Sequence, residues 1–262
     1  MAIKIMSLLK ASSECPRDRF VALCEAAFPQ LVANALPSLR SHRRHYVTER
    51  RSPALIAAGQ PFLRDGFDLV AEFELPDGPE ADELAVLNAM SGVVEAAGVF
   101  DPPGCGWFRV DEARNTSVPL ASRPSGMAEV PAIRTFVLIQ KAEAWSRDRF
   151  VDHYETIHAP IVLTHLAHDD MPLFATYVRN YPRPSPANFP AYGHGQMYDV
   201  LCEICYWREA DAELFGPSMA QEDTVAAFAQ EAVMMRPGGF AVVQVDTWCD
   251  PDQSANSLAD AP

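Results

Sequence analysis

The chain has 262 residues, 48% of them hydrophobic, and a formal net charge of −14. That is apolar material for one large core or two small ones, with no run near the ~18 apolar residues of a membrane span. The acidic balance excludes nucleic acid as a main partner, and "MAIKIMSLLKASSE" is too short in its apolar run for a secretory leader, so a soluble cytoplasmic protein without a membrane partner is expected.

In chain order, "IKIMSLLK" (Ile3–Lys10) opens as an apolar strand ending in a polar turn. A helix follows, "CPRDRFVALCEAAFPQLV", beginning at the RDRFV of Arg17–Val21. Next comes "LRSHRRHYVTERR", with Arg40, Arg43, Arg44, Arg50 and Arg51, read either as an anion site or as a strand whose cations pair with the surplus acids. "FDLVAEFEL" (Phe67–Leu75) is a second strand, "ADELAVLNAMSGVVEAAG" a second helix, and "GCGWFRVDE" a closing strand. "EARNTSVPLASRPSGMAEVP" is polar and proline-containing, as a linker should be.

Then the series starts again. "IRTFVLIQK" (Ile133–Lys141) precedes "WSRDRFVDHYETIHAPIV", with RDRFV at Arg147–Val151; "TYV" (Thr176–Val178) answers "HYV" (His45–Val47); "YDVLCEICY" answers "FDLVAEFEL". These correspondences fall 130 or 131 positions apart, and a shared offset over four segments points to an internal repeat. "EDTVAAFAQEAVMMR" and "GGFAVVQVDTW" supply the last helix and strand, and "DPDQSANSLADAP" reads as a disordered tail. The fold expected is α+β: two ferredoxin-like β-α-β-β-α-β repeats, at 1–112 and 132–249, joined by a linker at 113–131 and packed sheet to sheet as an intramolecular α+β barrel.

Chemistry concentrates in the second repeat. Ser146 is a plausible N-cap, with Trp145 and Phe150 as a hydrophobic staple. Helical spacing puts Phe150, Tyr154, Ile157, His158, Ile161 and His165 on one face. Pro160 removes a helical hydrogen bond, so a kink and a gap beside His158 are expected. A buried histidine there is either an acid/base group or a core residue bonded to the carbonyl that Pro160 frees. His153 should face solvent, and His165 with His168 makes an incomplete metal set, so no metal is expected. "CEIC" (Cys202, Cys205) lies on a strand, where residues three apart face opposite ways and cannot chelate one ion.

"RDRFVDHYETIHAPIV", with "YVRN" and "YDVLCEICYW" downstream, resembles the EthD-type branch of the dimeric α+β barrel superfamily. The resemblance extends over each half, as a tandem version. It implies a pocket between helices and sheet with His158 as acid/base, in a superfamily of cofactor-independent isomerases, dehydratase/cyclases, lactone-transforming enzymes and cofactor-free oxygenases. The first half departs from it, with Phe28 at the place of His158 and Cys24 at that of Tyr154, and is expected to be structural or to bind without catalysing.

Candidate helpers are Tyr154, one turn before His158, and Tyr198, which pairs with Phe67 and adds a hydroxyl. Tyr177 and Ile161 would line the site, although Tyr46 at the expected twin position gives Tyr177 a framework reading as well. The loop "NYPRPSPANFPAYGHGQM" carries Tyr181, Phe189, Tyr192 and His194, and serves either as a lid over a flat substrate or as a loop packed on its own aromatics. No phosphate loop or nucleophile elbow is present. The function expected is a cofactor-independent lyase or isomerase, using His158 on an aromatic or polyketide-like small molecule, in a chain that could also form a homodimer. The alternatives are a cofactor-free oxygenase on a phenolic substrate and a non-catalytic ligand-binding or scaffold protein.

Overall fold

A computed structural model of the chain describes residues 3–48, 66–76, 83–116, 133–168, 171–184, 198–206 and 208–249. The elements are β1 (Ile3–Leu9), α1 (Arg17–Ala35), β2 (Ser41–Val47), β3 (Leu69–Leu75), α2 (Glu83–Ala97), β4 (Gly106–Thr116) and β5 (Ile133–Lys141). They continue with α3 (Arg147–His153), a π turn (Tyr154–His158), α4 (Ala159–His165), and the short pair β6 (Ala167–His168) and β7 (Met171–Pro172). The last are β8 (Thr176–Pro182), β9 (Val200–Tyr206), α5 (Glu209–Glu213), α6 (Phe215–Met219), α7 (Glu222–Glu231) and β10 (Met235–Cys249).

The architecture is α+β, with eight antiparallel strands closed into a barrel in the order β1-β3-β2-β10-β5-β9-β8-β4. Closure comes from two ladders: β10 on β2 (Val245 opposite Val47) and β4 on β8 (Val110 opposite Pro182). Sheet edges therefore hydrogen-bond to each other, beyond the face-to-face packing that the apolar patterns suggest, and the pairing protects edge strands from aggregation. The β4 strand runs through 113–116, the first residues of the expected linker, where Ala113 pairs with Arg179. Residues 117–132 and 250–262 lie outside the described residues.

Alternation along the strands sorts the side chains into three apolar clusters. Ile3, Ile5 and Leu9 pack with Phe20, Phe28 and Phe73 under α1 and α2. Val137, Ile139, Cys202 and Ile204 pack with Phe150, Tyr154 and Phe215 under the later helices. Met6, Leu8, Phe136, Leu138, Leu201 and Val243 fill the barrel interior. Strands covered on both faces must be apolar on both, which explains their unbroken hydrophobic runs. Helix α2 ends where Gly98 takes a φ of 65°, the left-handed turn that glycine adopts without a Cβ penalty.

One end of the interior is ionic rather than apolar. Glu72 receives Lys4 Nζ at 3.2 Å, Arg43 Nη2 at 3.3 Å and His45 Nε2 at 3.1 Å. Lys4 also meets Glu112 at 2.6 Å, and Arg134 bridges Glu203 (3.0 Å) and the His45 ring (3.3 Å). Burial alone would raise the Glu72 pKa, but Arg43, Lys4 and His45 outweigh it and hold the carboxyl well below its ordinary value. The His45 pKa is lowered, chiefly by burial. Within the basic segment, Arg44 makes a two-pronged bond to Glu25 (2.8 and 2.9 Å). Arg43 and Arg44 thus follow the charge-pairing reading; Arg50 and Arg51 lie outside the described residues.

Candidate active site

The α3 helix starts as its sequence dictates. Ser146 Oγ accepts from Arg149 N–H at 3.2 Å, and Phe150 is buried beneath. Arg147, first of the RDRFV motif, donates to Asp111 and to the Pro182 carbonyl, both at 3.0 Å, tying the helix to β4 and β8. In α1 the corresponding cap position is Pro16, which makes no side-chain bond.

Just before Pro160 the helix widens into a π turn over Tyr154–His158, closed by Ala159 N–H donating to the Tyr154 carbonyl. A π turn absorbs the proline's missing donor by lengthening the loop by one residue, and such turns recur at functional sites. The widening rotates the faces. Ile157 turns out to 44% exposure, Ile161 is half-buried, and His158 and Tyr154 stay inside.

His158 is 5% exposed, and its Nδ1 donates to Glu231 Oε2 at 2.7 Å. It does not bond the carbonyl near Pro160, so the core-histidine reading also needs revision: its partner is a buried carboxylate on α7. Glu231 is 2% exposed. The Tyr154 ring lies 4.3 Å from the imidazole and the Phe228 ring 5.6 Å, so the pair sits in aromatic surroundings. Carboxylate and imidazole in such a place interact strongly, because little water competes. With Nδ1 committed, Nε2 is the nitrogen left to exchange a proton.

Glu231 is absent from the sequence expectations. A signal was available: Thr224, Phe228 and Glu231 follow the i, i+4, i+7 stripe of a buried helix face, and an acid on such a stripe needs a partner.

Tyr154 does not orient His158 through its hydroxyl. The hydroxyl meets Cys202 Sγ at 3.0 Å and accepts from Tyr177 at 3.2 Å; only its ring touches the imidazole. Burial pushes the hydroxyls of Tyr154 and Tyr177 well above the ordinary phenol value and the Cys202 thiol up to about 11. Tyr181 lies on β8 rather than in a loop, and its hydroxyl donates to Glu155, which also takes the Arg179 fork at 2.8 and 2.6 Å. Glu25 holds Arg44 and Tyr46 in the same way, the Tyr46 hydroxyl at 2.5 Å. Tyr46 thus makes the kind of bond that Tyr181 makes, and His42, opposite Phe73, takes a ladder place like that of Tyr177, opposite Ile204; 135 positions separate each pair rather than 131.

The structure separates Tyr198 from His158: Tyr198 belongs to the barrel-interior cluster with Phe67 and Leu201, on the other side of the sheet. His168 sits on β6 rather than on a helix with His165. Phe189, Tyr192 and His194 lie outside the described residues. Cys202 faces the helices and Cys205 the opposite side, near Arg134 and Glu203, as expected for residues three apart on a strand. Among the described residues, no group of three His, Cys, Asp or Glu is placed to hold a metal ion, and no helix is long and apolar enough to cross a membrane.

Residues 142–238 match the EthD domain family. No curated protein matches the chain in sequence. Among solved structures, an anthrone oxidase-like protein is 12% identical with a TM-score of 0.57, over 95% of this chain and 93% of that one. Chlorite dismutase from Candidatus Nitrospira defluvii is 11% identical (TM-score 0.45, 94% and 91% covered). A dye-decolorizing peroxidase from Bacteroides thetaiotaomicron VPI-5482 is 10% identical (TM-score 0.42, 92% of each chain covered). The expectation of a cofactor-independent lyase or isomerase is not upheld: a protein of similar fold is anthrone oxidase-like.

Proposed function

We propose that this chain, whose residues 142–238 carry an EthD domain, is an oxidase or oxygenase acting on an electron-rich hydroxyaromatic small molecule. The observation that carries the reading is the buried His158–Glu231 pair, 2.7 Å apart, within an aromatic layer of the EthD half. The first half has Phe28 at the position 130 residues before His158 and cannot perform the same step.

The chemistry such a pair supplies is proton removal. His158 Nε2 takes a proton from a phenol or from a benzylic carbon between aromatic rings, and Glu231 stabilises the imidazolium that results. The enolate left behind is electron-rich and gives its electrons to dioxygen. For an anthrone-type methylene the balance is CH2 plus O2 to C=O plus water: a C–O bond forms, and the hydroperoxide then loses water. The anthrone oxidase-like protein of similar fold supports this substrate class.

The reading also treats the barrel as two βαββαβ units in one chain. Its support is the matching order β4-β1-β3-β2 and β10-β5-β9-β8, together with the twin bonds of Asp68 to Ala11 N–H and Asp199 to Lys141 N–H, each 2.8 Å.

The test is oxygen uptake with anthrone and hydroxyanthrones, comparing wild type with His158→Gln, which keeps a donor for Glu231. Uptake matching product, and a fall of about 100-fold or more in the variant, is expected. Undiminished turnover under argon, or full activity in His158→Gln, refutes it.

A further inference from the structure

Glu231 has two carboxylate oxygens and His158 uses one. The other, Oε1, is buried and without a hydrogen-bond partner, and the nearest cationic candidate is His153 Nε2 at 3.6 Å. His153 Nε2 is likewise buried and unpartnered, although its ring is 20% exposed. Two unsatisfied polar atoms facing each other in a buried place are costly, and a catalytic role is one of the reasons for which such a pair is kept.

The π turn puts them there. In a regular α-helix, residues five apart project about 140° from one another, at 3.6 residues per turn. A turn closed by an i→i+5 bond is wider and brings them much closer to one face. His153 and His158 are five apart, and both reach the same carboxylate. The Trp145 ring stands edge-on to His153 at 5.0 Å and holds it in place. At the corresponding positions of the first half, 130 residues earlier, stand Leu23 and Phe28, neither of which carries a proton.

We propose that His153 is the outer station of a proton relay, running from His158 through Glu231 to solvent. It deepens the proposed function and rests on His158 being the base. When His158 Nε2 gains the substrate proton, Nδ1 gives its own to Glu231 Oε2. Rotation of the carboxyl carries that proton to His153 Nε2, and His153 releases its Nδ1 proton to water. One proton leaves the substrate and one enters solvent; the reverse rotation of the carboxyl and the return of both imidazoles from the Nε2–H to the Nδ1–H tautomer, with no net proton gained or lost, restore the start. His153 acts through Glu231 and does not touch the substrate.

The test is designed so that the two readings fail separately. First, without substrate, the exchange of the His158 Nδ1 proton with water is measured by NMR in wild type and His153→Gln. A slowing of about tenfold or more in the variant, restored by added imidazole, is expected. Unchanged exchange overturns the relay, whatever the reaction. Second, turnover is measured in dilute and in imidazole-rich buffer. His153→Gln should lose about tenfold in kcat with little change in KM, and recover saturably with imidazole. A loss insensitive to buffer marks a structural role and overturns the relay. Full activity of His158→Gln sinks the catalytic reading alone, because the exchange experiment still decides whether the proton path exists.

Discussion

Replacing Glu72 by Gln removes the central charge of the ionic barrel end while keeping the side chain's shape. Glu72 is 1% exposed and faces Lys4, Arg43 and His45 within 3.3 Å. Breaking a buried pair from one side leaves uncompensated charge and costs about 3–5 kcal/mol. Lys4 keeps Glu112 at 2.6 Å, so the low end, about 3 kcal/mol, is expected. For a domain of this size, that corresponds to a fall in Tm of roughly 6–12 °C. The sign with pH follows from the depressed Glu72 carboxyl. Its folded pKa lies below its unfolded one, so its stabilisation is full above the unfolded value of about 4.3 and disappears as pH falls through the folded value. Thermal or urea unfolding of both proteins from pH 7 to pH 3 should show a gap that is wide at neutral pH and closes in acid. A Tm difference under about 2 °C at pH 7, or a gap that widens in acid, refutes the reasoning.

Phe28→Ala should lower stability by about 3–5 kcal/mol, because the ring is buried against Phe100 and His42, yet should leave turnover within a few-fold; urea unfolding and oxygen uptake check both. Burial lifts the thiols of Cys24 and Cys105 to about 12 and of Cys202 to about 11, so at pH 8 iodoacetamide should label them only after unfolding, read by peptide mass spectrometry. Labelling of Cys202 in the folded protein at the rate of a free thiol would contradict its placement.

The location of His158 was legible because periodicity and capping are local: Ser146, Phe150 and Tyr154 mark a helix start and a buried face from the residue string alone. Its stability role was not. Replacing His158 by Ala would strip the buried Glu231 carboxylate of its partner, a contact 73 residues away that the residue string does not announce; His158→Gln is the milder probe. The pairing of Tyr177 with Tyr46 misleads for a related reason. Strand letters align equally well a few residues apart, and only ladder register and the Glu25 and Glu155 contacts decide.

By itself, then, the residue order determined the main barrel strands and the helices that begin at the two RDRFV motifs, the helix start at Ser146, the presence of a histidine in only one of two similar helices, and an EthD resemblance. Tertiary structure alone decided that the strands close edge to edge, that Tyr198 faces the barrel interior away from His158, and that Glu231, 73 residues away, is the histidine's partner. The reason is range. Capping and periodicity act over a few residues, whereas closure, strand facing and a buried ion pair depend on which distant segments the hydrophobic layers bring together.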